Sequence, residues 1–189
     1  MKPKLQTIIA STRPGRVGPS IAKWFNAYAE GHGAFDAKLI DLADFDLPLY
    51  NEPMHPRMQK YEHEHTKRWA KSVAEADAYV FVTPEYNFGT TPALLNALNY
   101  VYTEWTYKPA AFVSYGGVSG GIRAVQMVKP TLGVLKMVPL MEQVTIPMFP
   151  QFIDKETGVF TPNDLQLKSA QEVLDELKKW SDALTPMRG

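Results

Sequence analysis

The chain has 189 residues, 20 of them basic and 20 acidic, so its formal net charge is zero, and it contains no cysteine. This length predicts one domain, spanning residues 1–189. The balanced charge argues against nucleic acid and anionic membranes as partners, because proteins that bind them carry an excess of Lys and Arg. The lack of cysteine excludes disulfides, thiolate nucleophiles and cysteine-ligated metal centres. Any redox chemistry therefore requires a bound cofactor.

The first apolar segment superficially resembles a secretory signal. Lys2 and Lys4 precede it, but Gln6 and Thr7 interrupt the apolar run, which is shorter than the roughly 7–15 residues that a signal needs. We interpret the segment as a first strand. No stretch approaches the roughly 20 apolar residues of a membrane-spanning helix, so we expect a cytoplasmic protein.

Short apolar segments alternate with segments of helical periodicity from end to end. The predicted strands cover residues 5–10, 35–42, 78–83, 110–115 and 138–146. The predicted helices cover residues 19–30, 61–76, 92–105, 121–137 and 165–184. The third and fourth strands are apolar at successive positions, which is typical of strands covered on both faces. Five strands separated by helices indicate a doubly wound α/β domain with a parallel sheet.

Two features interrupt this pattern. Pro130 lies inside the predicted helix 121–137, where it should kink or break the helix. The longest irregular segment covers residues 44–58 and contains three prolines. Loops of this length usually serve as functional lids or as contacts between subunits.

The loop after the first strand has the composition of a phosphate-binding loop. Ligands of open α/β sheets bind beyond the carboxyl ends of the strands. Here Gly15 and Gly18 allow a close backbone approach, a helix begins next to them, and Arg13 and Arg16 add two guanidinium groups. The alternative is a tight turn with a solvated basic patch. Neither G-x-G-x-x-G nor a P-loop motif is present there, which excludes a dinucleotide fold and a P-loop NTPase.

Two further loops follow the third and fourth strands. Residues 83–92 include Tyr86 and Phe88, whose rings suit the face of a flat heteroaromatic ligand, although an ordinary strand-to-helix connection explains the loop equally well. Residues 114–121 include four glycines, which indicates a close backbone approach or a mobile lid, and simple flexibility competes with both.

Other kinds of site are less favoured. His55, His63 and His65 could suggest a metal site. His63 and His65, however, lie two positions apart on a predicted helix and should point away from each other, so we expect no metal site here. A Ser–His–Asp hydrolase needs a nucleophile elbow, and the chain has no G-x-S-x-G. One apolar stripe is either core or a subunit interface: Leu94, Leu98, Tyr102 and Trp105.

Taken together, the three loops resemble the NADPH-dependent FMN reductase family. The motifs STRPGRVG, TPEYNFGTTPALLNAL and SYGGVSGG follow strands one, three and four in the family's order, with TEW at 103–105 and Lys108-Pro109. The resemblance covers residues 5 to about 146. It implies a flavodoxin-like three-layer sandwich, with a five-stranded parallel sheet of order 2-1-3-4-5 and helices on both faces.

The resemblance also implies a set of residues that bind FMN. The FMN phosphate would be held by Ser11, Arg13, Arg16, Val17 and Gly18. The isoalloxazine would be lined by Pro84, Glu85, Tyr86 and Asn87. Its far edge would lie near Ser114, Tyr115, Gly116 and Gly117.

The activity implied by the resemblance is that of an NAD(P)H-dependent, FMN-containing oxidoreductase. Hydride would pass from NADPH, with NADH less expected, to FMN and then to a quinone-like or other small acceptor. Donor and acceptor would use one open face in turn, which predicts ping-pong kinetics and requires no catalytic side chain. One alternative is a flavodoxin-like electron carrier without nicotinamide turnover, and another is a flavin-free structural or regulatory relative. Flavodoxins are typically acidic, so the neutral charge and the two arginines of the first loop favour the enzyme.

The family further implies a homodimer or homotetramer. Leu95 and Asn99 stand where the family often has Lys and Asp, on a helix that it uses for subunit contacts. Ala10 stands where the family usually has Gly. The first two departures concern the oligomer more than the flavin site.

Overall fold

A computed structural model describes residues 2–188 of the chain. The strands are β1 (Lys4–Ile9), β2 (Asp36–Asp41), β3 (Ala78–Pro84), β4 (Pro109–Tyr115) and β5 (Val138–Ile146). The helices are α1 (Gly18–His32), α2 (Glu64–Glu75), α3 (Pro92–Tyr100), α4 (Ile122–Val134) and α5 (Asp164–Leu184). The strands form one parallel sheet of order β2-β1-β3-β4-β5, which confirms the predicted order.

Apolar layers cover both faces of the sheet. Every residue of β3 and β4 is buried, as their unbroken apolar sequences predicted. On one face α1 and α5 contribute Phe25 and Leu177, and on the other face α2 contributes Trp69. All five strands point the same way, so the loops after β1, β3 and β4 emerge at one edge of the sheet.

The third predicted helix is shorter than its periodicity indicated. α3 ends at Tyr100, Val101 is extended, and Thr103–Trp105 form a separate 3₁₀ turn. The buried Trp105 ring lies 5.8 Å from the ring of Trp69 and 4.8 Å from that of Tyr79. The change of direction allows this aromatic packing, which outweighs continuation of the helix.

Pro130 was predicted to kink or break α4, and of these two outcomes the break is wrong. The helix continues from Ile122 to Val134, although a proline inside a helix costs about 3 kcal/mol. Val125, Val128 and Leu132 are fully buried before and after it. Their packing offsets the lost backbone hydrogen bond.

The 21-residue α5 closes the layer that it shares with α1. It begins with a capping box, in which Asn163 accepts from the Gln166 N–H and the Gln166 side chain accepts from the Asn163 N–H. Its apolar side faces the sheet and its other side carries charged residues. In the part of the chain that the structure describes, neither α5 nor any other helix combines the length and apolarity needed to cross a membrane.

The long connection between β2 and α2, residues 42–63, is called the strap below. It contains two 3₁₀ turns, so the predicted irregular segment is partly ordered. Asn96 of α3 accepts a hydrogen bond from the Tyr50 N–H at 3.0 Å and donates to the Pro48 carbonyl at 2.6 Å. The strap is thereby fixed against α3.

The strap also determines where α2 begins. The predicted helix starts at residue 61, whereas α2 starts at Glu64. The buried carboxylate of Glu52 accepts hydrogen bonds from the Glu62 N–H at 2.8 Å and the His63 N–H at 3.1 Å. Burial raises the pKa of Glu52, but the surrounding hydrogen bonds, led by the one from the Glu62 N–H, outweigh it and the pKa is lowered. An acceptor on the strap therefore holds the two residues that precede the helix, and His63, the N-cap residue, makes no side-chain capping bond.

Candidate functional site

The loops after β1, β3 and β4 meet at the carboxyl edge of the sheet. The Ser11 and Tyr115 hydroxyls lie 3.4 Å apart although 104 positions separate the two residues. The Glu85 N–H donates to the Tyr115 carbonyl at 3.2 Å. A Cβ at Gly18 would lie 2.7 Å from Ser11 Oγ and 2.9 Å from the Tyr115 hydroxyl. Four of the predicted site residues, drawn from all three loops, are thus in contact with one another or nearly so.

The first loop presents backbone donors and one exposed cation. Within residues 2–188, the backbone N–H groups of residues 12–17 donate no hydrogen bond. Pro14 has no N–H group. Val17 is the N-cap residue of α1, and its side chain makes no capping hydrogen bond. The N-terminus of α1 also places the positive end of the helix dipole beside this loop. The exposed Arg13 guanidinium contacts only the Pro14 carbonyl, at 3.3 Å, within the described chain. These groups can bind a phosphate.

Arg16 occupies a different environment from Arg13. Its two terminal nitrogens donate to the two carboxylate oxygens of Asp41, at 2.8 and 2.6 Å. The same side chain donates to the Ser11 carbonyl. Sequence reasoning missed Asp41, which ends β2. Since β2 is the neighbour of β1, a carboxylate at the end of this strand was the available signal.

The second loop contains a two-residue turn with aromatic residues. Tyr86 and Gly89 exchange backbone hydrogen bonds of 2.9 and 2.8 Å, and Asn87 and Phe88 take positive φ angles of 49° and 66°. The Phe88 ring is 70% exposed and lies 3.8 Å from the guanidinium carbon of Arg123. The buried Tyr86 hydroxyl has no hydrogen-bond partner in the described residues. The hydroxyl therefore keeps an unused hydrogen-bonding capacity within the described chain.

A buried carboxylate connects the second loop to the third. Glu85 accepts hydrogen bonds from Arg123 Nε at 2.7 Å, Ser119 Oγ at 2.9 Å and the Arg123 N–H at 3.3 Å. Burial raises the pKa of Glu85, but the bonds from Arg123 and Ser119 outweigh it and lower the pKa overall. We call Glu85, Ser119 and Arg123 the carboxylate clamp. Sequence reasoning missed Ser119 and Arg123 as members of the site.

The third loop is packed against its neighbours. Ser114 is fully buried and donates to the Gly120 carbonyl at 2.8 Å, so it shapes the loop from below. The Gly116 N–H donates to the Ile146 carbonyl, and the Gly117 carbonyl accepts from the Met148 N–H. Gly116 is buried, whereas Gly117 is exposed. These contacts favour a close backbone approach over a mobile lid.

Tyr115 and Pro84 end two neighbouring strands and lie opposite each other in the sheet. Burial raises the pKa of Tyr115 to about 12. The hydroxyl is therefore neutral at physiological pH and can donate a hydrogen bond. Pro84 is buried at the base of the second loop, and Val17 is half-buried at the start of α1.

A cleft of about 390 Å³ adjoins the first loop on its α3 side. Thr12 forms one wall, the strap contributes Leu47 and Pro48, and α3 contributes Ala93 and Asn96. The residues that line it come from the first loop, the strap and α3. This cleft therefore borders the place where the three loops meet and does not coincide with it.

The histidine geometry expected from the sequence is wrong. His63 precedes α2 in an extended conformation, and its ring stacks on that of His65, with centroids 5.1 Å apart. Asn51 contacts both imidazoles. Among residues 2–188, no three His, Cys, Asp or Glu side chains are grouped so that they could hold a metal ion.

The arrangement fits a planar ligand that carries a phosphate. Free amides and Arg13 can bind the phosphate, and the second loop adds the Tyr86 hydroxyl, which has no hydrogen-bond partner in the described residues. A doubly wound α/β sheet with a site at this edge defines a nucleotide-binding or flavin-binding class of protein.

Comparisons with known proteins identify the family. The family model described as NADPH-dependent FMN reductase matches residues 3–151. A NAD(P)H-dependent FMN reductase of Schizosaccharomyces pombe is 43% identical over 149 residues, which cover 77% of this chain and 74% of that protein. A quinone reductase of Pseudomonas putida is 32% identical over 136 residues, which cover 69% of each chain.

A solved structure has the same fold. The flavoenzyme NAD(P)H:(acceptor) oxidoreductase FerB of Paracoccus denitrificans superposes with a TM-score of 0.74 at 23% identity, covering 96% of this chain and 98% of that one. The chain belongs to the NADPH-dependent FMN reductase family. It is an oxidoreductase, and its cofactors are FMN and NAD(P)H.

Proposed function

We propose that the protein takes hydride from NADPH and delivers the electrons, through FMN held where the three loops meet, to a quinone-like or other small acceptor. The observation that supports this most is the first loop, whose free backbone N–H groups and exposed Arg13 lie at the same edge of the sheet as the aromatic turn of the second loop. When bound there, FMN would supply the hydride and electron chemistry. The chain works, in this proposal, as one domain in the cytosol, where reduced nicotinamide nucleotides are available.

The residues of the site would bind and orient the flavin. The phosphate would be held by Ser11, Arg13 and the free N–H groups of residues 12, 13 and 15–17. The Asn87–Phe88 turn would form the wall beside the ring. The carboxylate clamp fixes this turn relative to α4, because Glu85 accepts from both the side chain and the backbone of Arg123. The neutral Tyr115 hydroxyl would support the first loop through Ser11. None of these groups has to transfer a proton.

Donor and acceptor would bind in turn on the same open face. The third loop is packed against residues 148–149, which restricts access from that side. A single open face predicts ping-pong kinetics, in which the nicotinamide product leaves before the acceptor binds. We propose NADPH as the better donor, in line with the family to which the chain belongs.

We also propose that the protein is a homodimer or homotetramer. A groove of about 600 Å³ runs between the strap, α3 and α4, and its lining includes Tyr50, Met54 and Val134. These side chains are 38%, 38% and 71% exposed. Partly exposed apolar side chains in a groove favour contact with another subunit. Light scattering on the purified protein measures the subunit number.

One set of measurements tests the enzymatic proposal. Purified protein titrated with FMN should show a flavin spectrum perturbed by binding, and anaerobic NADPH should bleach it. Initial rates at varied NADPH and quinone should give parallel double-reciprocal lines. The proposed activity requires bound FMN. A protein that does not bind FMN therefore refutes the proposal. Binding without bleaching favours the electron carrier, and intersecting lines contradict the shared face.

A further inference from the structure

The two arginines of the first loop have opposite surroundings. Arg13 is exposed and has no carboxylate partner within residues 2–188. Arg16 is paired with Asp41 through two parallel hydrogen bonds, and the two side chains are 18% and 19% exposed. The motif alone makes the two arginines equivalent, whereas the structure separates them.

The contacts of Arg16 bring three segments together. Its guanidinium donates to Asp41 at the end of β2 and to the Ser11 carbonyl at the start of the first loop. Asp41 in turn accepts from the Ala43 N–H at 3.0 Å, which caps the first 3₁₀ turn of the strap. The guanidinium thus connects the first loop, β2 and the strap.

A bidentate guanidinium–carboxylate pair is a strong and directional contact. To turn toward a phosphate the edge of its guanidinium that holds Asp41, Arg16 would have to strand a largely buried carboxylate, which is costly. Arg13 can approach a phosphate without breaking any ion pair. Arg16 instead fixes the carbonyl of Ser11, and with it the direction of the N–H groups that follow.

We propose that Arg16 is a positioning residue: held by Asp41, it sets the conformation of the first loop, while Arg13 and the loop amides bind the FMN phosphate. This inference rests on the proposed site. It predicts that Asp41, which bears a negative charge near a phosphate site, nevertheless promotes FMN binding. If only the charge of Asp41 mattered, it would repel the phosphate and weaken FMN binding.

The test compares FMN with riboflavin, which lacks the phosphate. The variants are Arg16→Ala, Arg16→Lys, Asp41→Asn and the double variant Arg16→Ala/Asp41→Asn. Lys23→Ala is the matched control, since Lys23 is an exposed cation of α1. Dissociation constants come from quenching of flavin fluorescence, and thermal unfolding of each flavin-free variant monitors the fold.

We expect Asp41→Asn and Arg16→Ala each to weaken FMN about tenfold or more, corresponding to one lost charged hydrogen bond or more. The double variant should bind FMN no more weakly than Arg16→Ala. Arg16→Lys should also weaken FMN, because Lys keeps the charge but lacks the fork that matches Asp41. Riboflavin affinity should stay within about twofold throughout, and Lys23→Ala should bind both flavins normally.

Other results separate the possible failures. FMN affinity that is unchanged or tighter in Asp41→Asn, or preserved in Arg16→Lys, overturns the positioning role and assigns Arg16 to the phosphate. Equal losses of FMN and riboflavin affinity also overturn it, because they indicate general disruption. If the unaltered protein binds neither flavin, the proposed site itself is wrong.

Discussion

The carboxylate clamp yields a quantitative prediction about stability. Arg123 Nη2 lies 2.5 Å from Glu85 Oε1, and the two side chains are 48% and 7% exposed. Arg123→Met removes the charge while keeping most of the side-chain length, and Glu85→Gln removes the opposite charge. Hydrogen bonds to charged groups contribute about 1.5–3 kcal/mol, and fully exposed pairs contribute at most about 1 kcal/mol. Because Arg123 is half-exposed, we expect a coupling free energy of about 1–2 kcal/mol.

A double-mutant cycle with urea unfolding measures this coupling. The matched control is the Lys168–Glu172 pair of α5, whose charged atoms are 3.9 Å apart and whose side chains are 75% and 57% exposed. Its coupling should not exceed about 0.5 kcal/mol. Acid should weaken the clamp: the pKa of Glu85 lies below its ordinary 4.5, so the stabilisation is complete above 4.5 and is lost as pH falls through the lowered pKa.

Three results would refute this reasoning. One is a coupling at the clamp no larger than that of the control pair. Another is a clamp coupling that persists when the pH is low enough to protonate Glu85. The third is a Glu85→Gln variant that destabilises the protein fully even when Arg123 is already Met, since this would show that Glu85 acts through other contacts.

Three further changes test other parts of the structure. Arg13→Ala should weaken FMN by about 1.5–3 kcal/mol and leave riboflavin unchanged in a fluorescence titration; unchanged FMN affinity would place the phosphate elsewhere. Gly18→Ala puts a Cβ 2.7 Å from Ser11 Oγ and 2.9 Å from the Tyr115 hydroxyl, so unfolding should become easier by about 1–3 kcal/mol, and an unchanged midpoint would contradict the tight contact. Burial lowers the pKa of Lys108 from 10.5 to about 8, so the unfolded chain binds more protons between these values and this group's contribution to stability rises with pH there. Between about pH 8 and about pH 10 the rise amounts to about 2 kcal/mol, less than the limiting value of roughly 1.4 kcal/mol per pH unit because the group is partly titrated at both ends. Urea unfolding of Lys108→Met at these two pH values should lack the rise, and equal pH dependence in both proteins would exclude Lys108 as its source.

Much of the architecture could be predicted because it depends on local patterns. The unbroken apolar runs of β3 and β4 predict strands covered on both faces, and both are fully buried. The order of the strands and the family came from motifs in three loops, and both are confirmed. The predicted roles of the thirteen site residues remain predictions.

Where sequence reasoning failed, contacts between distant residues decided the outcome. The 92–105 periodicity predicted one helix, but burial of Trp105 against Trp69 ends α3 early. The expected break at Pro130 did not occur, because packing on both sides holds α4 together. The helical argument about His63 and His65 was wrong, since His63 lies before α2 in an extended conformation, where its N–H donates to Glu52.

The sequence by itself determined the type of sheet, the three loops that meet at its carboxyl edge and the family, because hydrophobic periodicity and loop composition are local properties. It could not determine which charges are free. Arg13 and Arg16 stand three positions apart in one motif, and Glu85 belongs to another. Only the tertiary structure pairs Arg16 with Asp41 and Glu85 with Arg123, because an ion pair depends on which strand and helix ends are brought together in space.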